Sequence, residues 1–134
     1  MSIRVEMAEL APHLVRRGGG FLLSSIMDSR PHVAHLMFDV AADGDQVEIR
    51  ARVGRTSYAN CQQRSSVTVL WPSPLAAATH DEAEPVASDD VDHDLDRYSL
   101  IVDGEARLDG PEHVIISITS AIFHRPAPTE ERSP

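Results

Sequence analysis

A chain of 134 residues, 42% of them hydrophobic, has room for one domain with one core and not for two. Its formal net charge of −9 excludes a general nucleic-acid binder, which needs a basic surface to neutralise phosphates. That charge is uneven: residues 80–97 hold eight acids against Arg97 alone, a local −7 that leaves −2 for the rest.

Aromatic residues make up only 4%, so the core has to be built from Val, Ile, Leu and Ala. All 12 basic residues are arginine, which removes lysine Schiff-base and general-base chemistry and leaves planar forks suited to carboxylate or phosphate. Cys61 is the single cysteine, so no intrachain disulfide can form, in keeping with a reducing compartment. The start of the chain lacks a signal-peptide pattern, and no apolar run approaches the roughly 20 residues of a membrane span. The expectation is a soluble, cytoplasmic protein.

In chain order, Met7, Leu10 and Leu14 predict a short helix within residues 5–17, stopped by Gly18-Gly19-Gly20. Pro12 either kinks it or delays its start. Phe21 to Ile26 reads as a first strand, Asp28-Ser29-Arg30-Pro31 as a turn and His32 to Phe38 as a second strand. Ala42-Asp43-Gly44-Asp45 is a hairpin signal. In the third strand Val47, Ile49, Ala51 and Val53 face one way while Glu48, Arg50 and Arg52 face the other. Gly54 ends it, and Arg55 to Arg64 reads as a short helix capped by Thr56 or Ser57.

Ser66 to Trp71 is a fourth strand, closed by Pro72 and Pro74, and residues 73–97 read as a long acidic loop. Leu100 to Leu108 forms a fifth strand in which Gly104 marks a bulge or a close backbone approach. After the turn Asp109-Gly110-Pro111, His113 to His124 is a sixth strand, with Val114, Ile116, Ile118 and Ile122 sharing a face. Residues 1–125 then form the domain, and the proline-rich stretch 126–134 reads as a disordered tail. Six strands joined by short turns predict a mainly β fold, a small antiparallel barrel with one or two short helices.

The segment from Arg50 to Asn60 carries the most chemistry. Two guanidinium groups on one strand face, a glycine turn and Arg55-Thr56-Ser57 at a helix start make an anion-ready site, since helix N-termini present free N–H groups and partial positive charge. The same residues also fit a helix cap and surface ion pairs, the reading that local chemistry alone favours because such helix starts are common. His32 and His35 fall on opposite strand faces and cannot share a metal. His80 and His93 sit among acids without the spacing of a calcium site, so that stretch reads as a solvated charge run and no metal site is assigned. Cys61 reads as a small apolar residue on the short helix, and Trp71 as a core or interface residue.

The ordered stretches Phe21-Leu22-Leu23-Ser24-Ser25, Arg30-Pro31-His32-Val33, Gly54-Arg55-Thr56-Ser57-Tyr58-Ala59-Asn60, Val67-Thr68-Val69-Leu70-Trp71-Pro72 and Tyr98-Ser99-Leu100-Ile101-Val102-Asp103-Gly104-Glu105-Ala106 resemble a known family. It is the pyridoxamine 5′-phosphate oxidase-like, FMN-binding split-barrel family, above all its short actinobacterial members, which the closing Phe123-His124-Arg125-Pro126 also resembles. The resemblance implies a six-stranded split β-barrel, a homodimer, and FMN in a cleft between subunits. It puts the flavin phosphate against Arg55, Thr56 and Ser57 with Asn60 nearby, and the ring system beside His35, Arg50 and Ala51.

Two departures stand out: Thr56 and Ser57 occupy the places of an Arg-Lys pair, and Ala34 that of a strand arginine. Relatives with similar departures use the deazaflavin coenzyme F-420, which is the alternative cofactor. The implied activity is hydride transfer to or from a small-molecule substrate; the alternative is a non-catalytic cofactor-binding or interaction protein that has lost tight FMN binding. No catalytic residue is assigned, and His124 and Arg125 either face the cleft or end a strand at the surface.

Overall fold

The computed structural model describes residues 2–26, 29–73 and 93–125. The order is β1 (Ser2–Arg4), α1 (Met7–Arg17), β2 (Gly20–Ser24), β3 (His32–Leu36), β4 (Asp39–Asp43), β5 (Gln46–Arg52), α2 (Arg55–Gln63), β6 (Ser66–Trp71), a 3₁₀ turn (His93–Arg97), β7 (Ser99–Asp109) and β8 (His113–His124). The strands pair antiparallel in the order β3-β2-β6-β7-β8-β5-β4, with β1 added beside β8. One edge of β8 is covered by β7 throughout. Its other edge is divided: β5 pairs with residues 113–117 and β1 with residues 122–124. The sheet is split there.

Eight strands therefore stand where six were expected among the described residues. β1 has only three residues, too few to show a period. β4 is the incoming arm of the hairpin at Gly44-Asp45, where Gly44 takes the positive φ of 64° that such a tight turn needs.

The predicted alternation of β5 holds: Val47, Ile49, Ala51 and Val53 are buried, and Arg50 and Arg52 are exposed. Leu10 and Leu14 of α1 are shut away under the sheet, each contributing about 1.5–3 kcal/mol by burial. That burial offsets Pro12, which sits inside α1 at an exposed position and removes one helical hydrogen bond. Trp71 is a core residue: its Nε1 donates to Gly18 O at 2.9 Å and its ring lies 5.6 Å from that of Phe38. Gly20 has to be glycine, because a Cβ there would come within 2.8 Å of the indole.

In β8 the predicted face is corrected. Asp103 pairs with Ser120 and Gly104 with Ile118, so Thr119 is an extra residue without a partner in β7. The side chains change phase across it: Val114, Ile116 and Ile118 point inward before it, Ala121 and Phe123 after it. Ile122 thus lies on the opposite face from the one expected. Gly104 is the close approach, since a Cβ there would meet Ser117 O at 2.6 Å.

Asp96 is a second correction, because it does not belong to a solvated charge run. It is 6% exposed and takes a two-pronged ion pair from Arg16, Nε to Oδ1 at 3.1 Å and Nη2 to Oδ2 at 2.5 Å. Arg17 beside it donates to Leu95 O and Tyr98 O, both at 2.7 Å, and its guanidinium lies over the Phe123 ring. Burial pulls the Arg17 pKa down to about 10. Ser73 donates to Asp96 O, so the residues on either side of the span 74–92 meet on α1. Most of the acidic stretch, and the tail 126–134, lie outside the described residues.

Candidate anion-binding site at the start of the second helix

β5 delivers the chain to α2 through Val53, whose N–H donates to Glu112 O at 2.8 Å. Gly54 is the N-cap residue, in extended conformation, and no side chain caps the helix. This corrects the expected cap: Ser57 and Cys61, one helical turn apart, form the face of α2 that is buried against the barrel, and Thr56 is exposed. With no acid in the first turn either, the leading N–H groups and their partial positive charge are open to an anion.

Tyr58 fixes the position of that helix start by donating its hydroxyl to Gly110 O at 2.8 Å. The β7–β8 turn and α2 thereby border an open cavity of about 680 Å³ lined by Arg52, Val53, Gly54, Arg55, Tyr58, Ala59, Pro111 and Glu112. Arg52 Nη2 lies 3.0 Å from Glu112 Oε1 across it.

Of the residues singled out from the sequence, Arg55 lines this cavity and Thr56 follows it on the exposed helix start. Arg50 is engaged elsewhere, its Nε 2.7 Å from Asp109 Oδ2, and that hydrogen bond holds the Asp109 carboxyl below its ordinary range. Ala51 faces the core opposite Val114. Asn60 donates to the buried Ser24 hydroxyl at 3.2 Å and so pins α2 to β2. His35 is exposed on β3 with its ring 5.0 Å from that of Phe21. His124 ends β8 exposed between Ser2 and Ser99, and Arg125 is exposed after it.

The sequence reading counted Arg52 among the guanidinium groups of the anion-ready segment but gave it no cofactor contact, and it missed Tyr58 and Glu112 as members of the site. Arg52 had a signal, since alternation puts it on the same face as Arg50. Glu112 had none, because a turn 60 residues from Arg52 brings it there.

A second cavity, about 400 Å³, lies on the outer face between Ser24, Arg64, Thr68, Asp103 and Glu105. Its two carboxylates are occupied by hydroxyls: Ser65 and Ser66 donate to Glu105, and Thr68 to Asp103. Beside it the strand registers align Phe21, Leu70, Ile101 and Ile122 in one cross-strand row, none of them fully buried. Val33 at 55% and Met37 at 67% exposure lie on the neighbouring β3 side. Among the described residues no cluster of His, Cys, Asp and Glu could hold a metal, and no helix is long and apolar enough to cross a membrane. His80 and the side chain of His93 lie outside the described residues.

An antiparallel sheet split along one strand, with a short helix leading out of β5, defines the split-barrel class of fold. Two solved structures bear this out. A Listeria innocua protein assigned provisionally as a pyridoxamine 5′-phosphate oxidase is 16% identical, with a TM-score of 0.50 over 87% of this chain and 96% of that one. The FMN-binding domain of a flavin reductase-like enzyme from Shewanella baltica is 11% identical, with a TM-score of 0.61 over 92% of this chain and 77% of that one. No family model and no curated protein matches the chain. The resemblance read from the sequence therefore holds as a likeness of fold.

The donor chemistry at α2 fits a phosphate. Two guanidinium groups and an uncapped helix start with no acid in its first turn face one cavity, large enough for a small molecule's anionic end.

Proposed function

We propose that this protein is a flavin-dependent oxidoreductase that acts on a small molecule by hydride transfer, with FMN as the first cofactor to test and the deazaflavin coenzyme F-420 as the alternative. The observation that carries the reading is the open, arginine-flanked start of α2, in a fold shared with an FMN-binding domain. Arg55, Thr56 and the leading N–H groups of α2 hold the phosphate, and Arg52 forms the facing wall. Ser57 and Asn60 act from behind, one packed into the barrel and the other tying α2 to β2. His35 on β3 and Arg50 on β5 are assigned to the ring system, to which Ala51, its side chain in the core, can offer only backbone. When bound, the flavin supplies the hydride chemistry, and the chain supplies position, charge and exclusion of water. The free, buried Cys61 is in keeping with a cytoplasmic setting.

We also propose a homodimer. Phe21, Leu70, Ile101 and Ile122, with Val33 and Met37 beside them, give a second copy an apolar face to cover. Light scattering at micromolar concentration is expected to give twice the mass of one chain; a monomer would remove both the dimer and a cleft shared between subunits. For the cofactor, the purified protein is expected to absorb in the visible as a flavin or deazaflavin, or to bind one on titration. Failure of both FMN and coenzyme F-420 to bind would sink the reading.

A second reading, a cofactor-holding protein without turnover, has its own support. Arg50 and Arg52 are already engaged by Asp109 and Glu112, which weakens their hold on a phosphate. Turnover of a reduced cofactor with any electron acceptor would count against it.

A further inference from the structure

Glu112 is a carboxylate at a place built for an anion. It lines the same cavity as Arg52, Arg55 and the start of α2, and it holds Arg52 at 3.0 Å. Its position is fixed from three sides. Val53 N–H donates to its backbone oxygen at 2.8 Å, the preceding Pro111 has its own φ locked, and Tyr58 ties Gly110 to the helix. The backbone that carries the carboxylate is therefore anchored beside the start of α2, where the helix's own first turn has no acid. Both partners are largely solvated, with side-chain exposures of 71% for Arg52 and 53% for Glu112. An ion pair so exposed is weak enough for a stronger anion to open.

We propose that Glu112 is a specificity-determining counter-ion: it competes with phosphate for Arg52 and keeps the affinity of this cavity for phosphate-bearing ligands low. A dianionic phosphate entering the cavity takes over the Arg52 fork and meets Glu112 as a like charge. The residue thus sets how much of cofactor binding rests on the phosphate and how much on the ring. The inference rests on the flavin reading and deepens it.

The test compares wild type with Glu112→Gln and Arg52→Gln, using FMN, riboflavin and inorganic phosphate as probes. Flavin fluorescence titration reads the first two, and the upward shift of the thermal midpoint reads the third. Riboflavin carries the same ring without the phosphate, so the ratio of FMN to riboflavin affinity isolates the phosphate end. Glu112→Gln is expected to raise that ratio about 3- to 10-fold at low salt, with riboflavin binding unchanged, the size expected of one solvated charge a few ångströms away. The gain is expected to shrink towards unity in about 1 M salt as screening closes in. Arg52→Gln is expected to lower the ratio.

If Glu112→Gln leaves the ratio unmoved while FMN binds wild type, the inference fails and the flavin reading stands. If neither FMN nor inorganic phosphate binds any of the three proteins, the anion site and this inference fall together. Glu112 is exposed, and unchanged Trp71 fluorescence verifies that each variant is folded.

Discussion

Gly104→Ala tests the packing argument at the point where β7 and β8 come closest. An added Cβ would lie 2.6 Å from Ile116 Cγ2 and 2.6 Å from Ser117 O, where ordinary contact begins at 3.4 Å. Ile116 has no exposed surface to retreat into, and the Ser117 carbonyl belongs to backbone beside the Thr119 bulge. Overpacking of this kind costs about 1–3 kcal/mol. Against it, alanine lowers the entropy of the unfolded chain and returns about 0.4–1 kcal/mol. The expected net loss is about 1–2 kcal/mol. Urea unfolding followed by fluorescence of Trp71, the single tryptophan and 1% exposed, reads it directly. With a slope of about 1–3 kcal/mol per molar for a small domain, the midpoint falls by roughly 0.5–1.5 M. Gly54→Ala is the control for added volume, since its Cβ meets nothing within 4 Å and its φ of −79° suits alanine. Only the N-cap preference for glycine over alanine, about 0.5–1 kcal/mol, is lost there. A Gly104→Ala midpoint within about 0.2 M of wild type would refute the reasoning.

Three further expectations concern charge and burial. Asp96→Ala removes the carboxylate facing Arg16; losing one side of a buried pair costs about 3–5 kcal/mol, and the 15% exposure of Arg16 puts this case near the lower end, read from the same urea midpoint. The Glu48, Glu105 and Asp109 carboxyls are all held below their ordinary range, chiefly by hydrogen bonds from Arg107, Ser65 and Arg50 respectively. Groups lowered in this way stabilise the fold above their unfolded pKa and lose that contribution as pH falls through the folded one, so the thermal midpoint is expected to drop below about pH 4.5. Arg50→Gln should flatten that drop, and identical slopes for variant and wild type would exclude the Asp109 share. Burial pushes the Cys61 thiol up, so its labelling at pH 8 is expected to be at least about 100-fold slower in the native protein than in urea; similar rates would mean that α2 opens readily.

Much of this fold was legible because its strands obey a period of two. β5 could be read almost residue by residue, since Val47, Ile49 and Ala51 alternate with charges. β8 could be read as a strand but not as two phases, because Ser117, Thr119 and Ser120 are equally acceptable on either face and only the pairing with Gly104 places the extra residue. Asp96 looked like its acidic neighbours, and nothing local sets it apart; Arg16, 80 residues away, does that. The same holds at the candidate site. Arg55 was visible from its place after Gly54, whereas Glu112 enters through a turn whose distance in sequence hides it. Local chemistry names donors, and tertiary pairing decides which of them are already engaged.

The arginine pair that ends α1 has a consequence for loop length. Arg17 donates to the carbonyls of Leu95 and Tyr98, Arg16 holds Asp96, and Ser73 donates to Asp96 O, so the residues that flank the span 74–92 are fastened to one another. Lengthening a loop whose ends are already joined costs little, about 0.6 kcal/mol for each doubling. A change in the number of residues between Ser73 and His93 is therefore expected to cost the fold little, because β6 and β7 are registered on each other independently of that span.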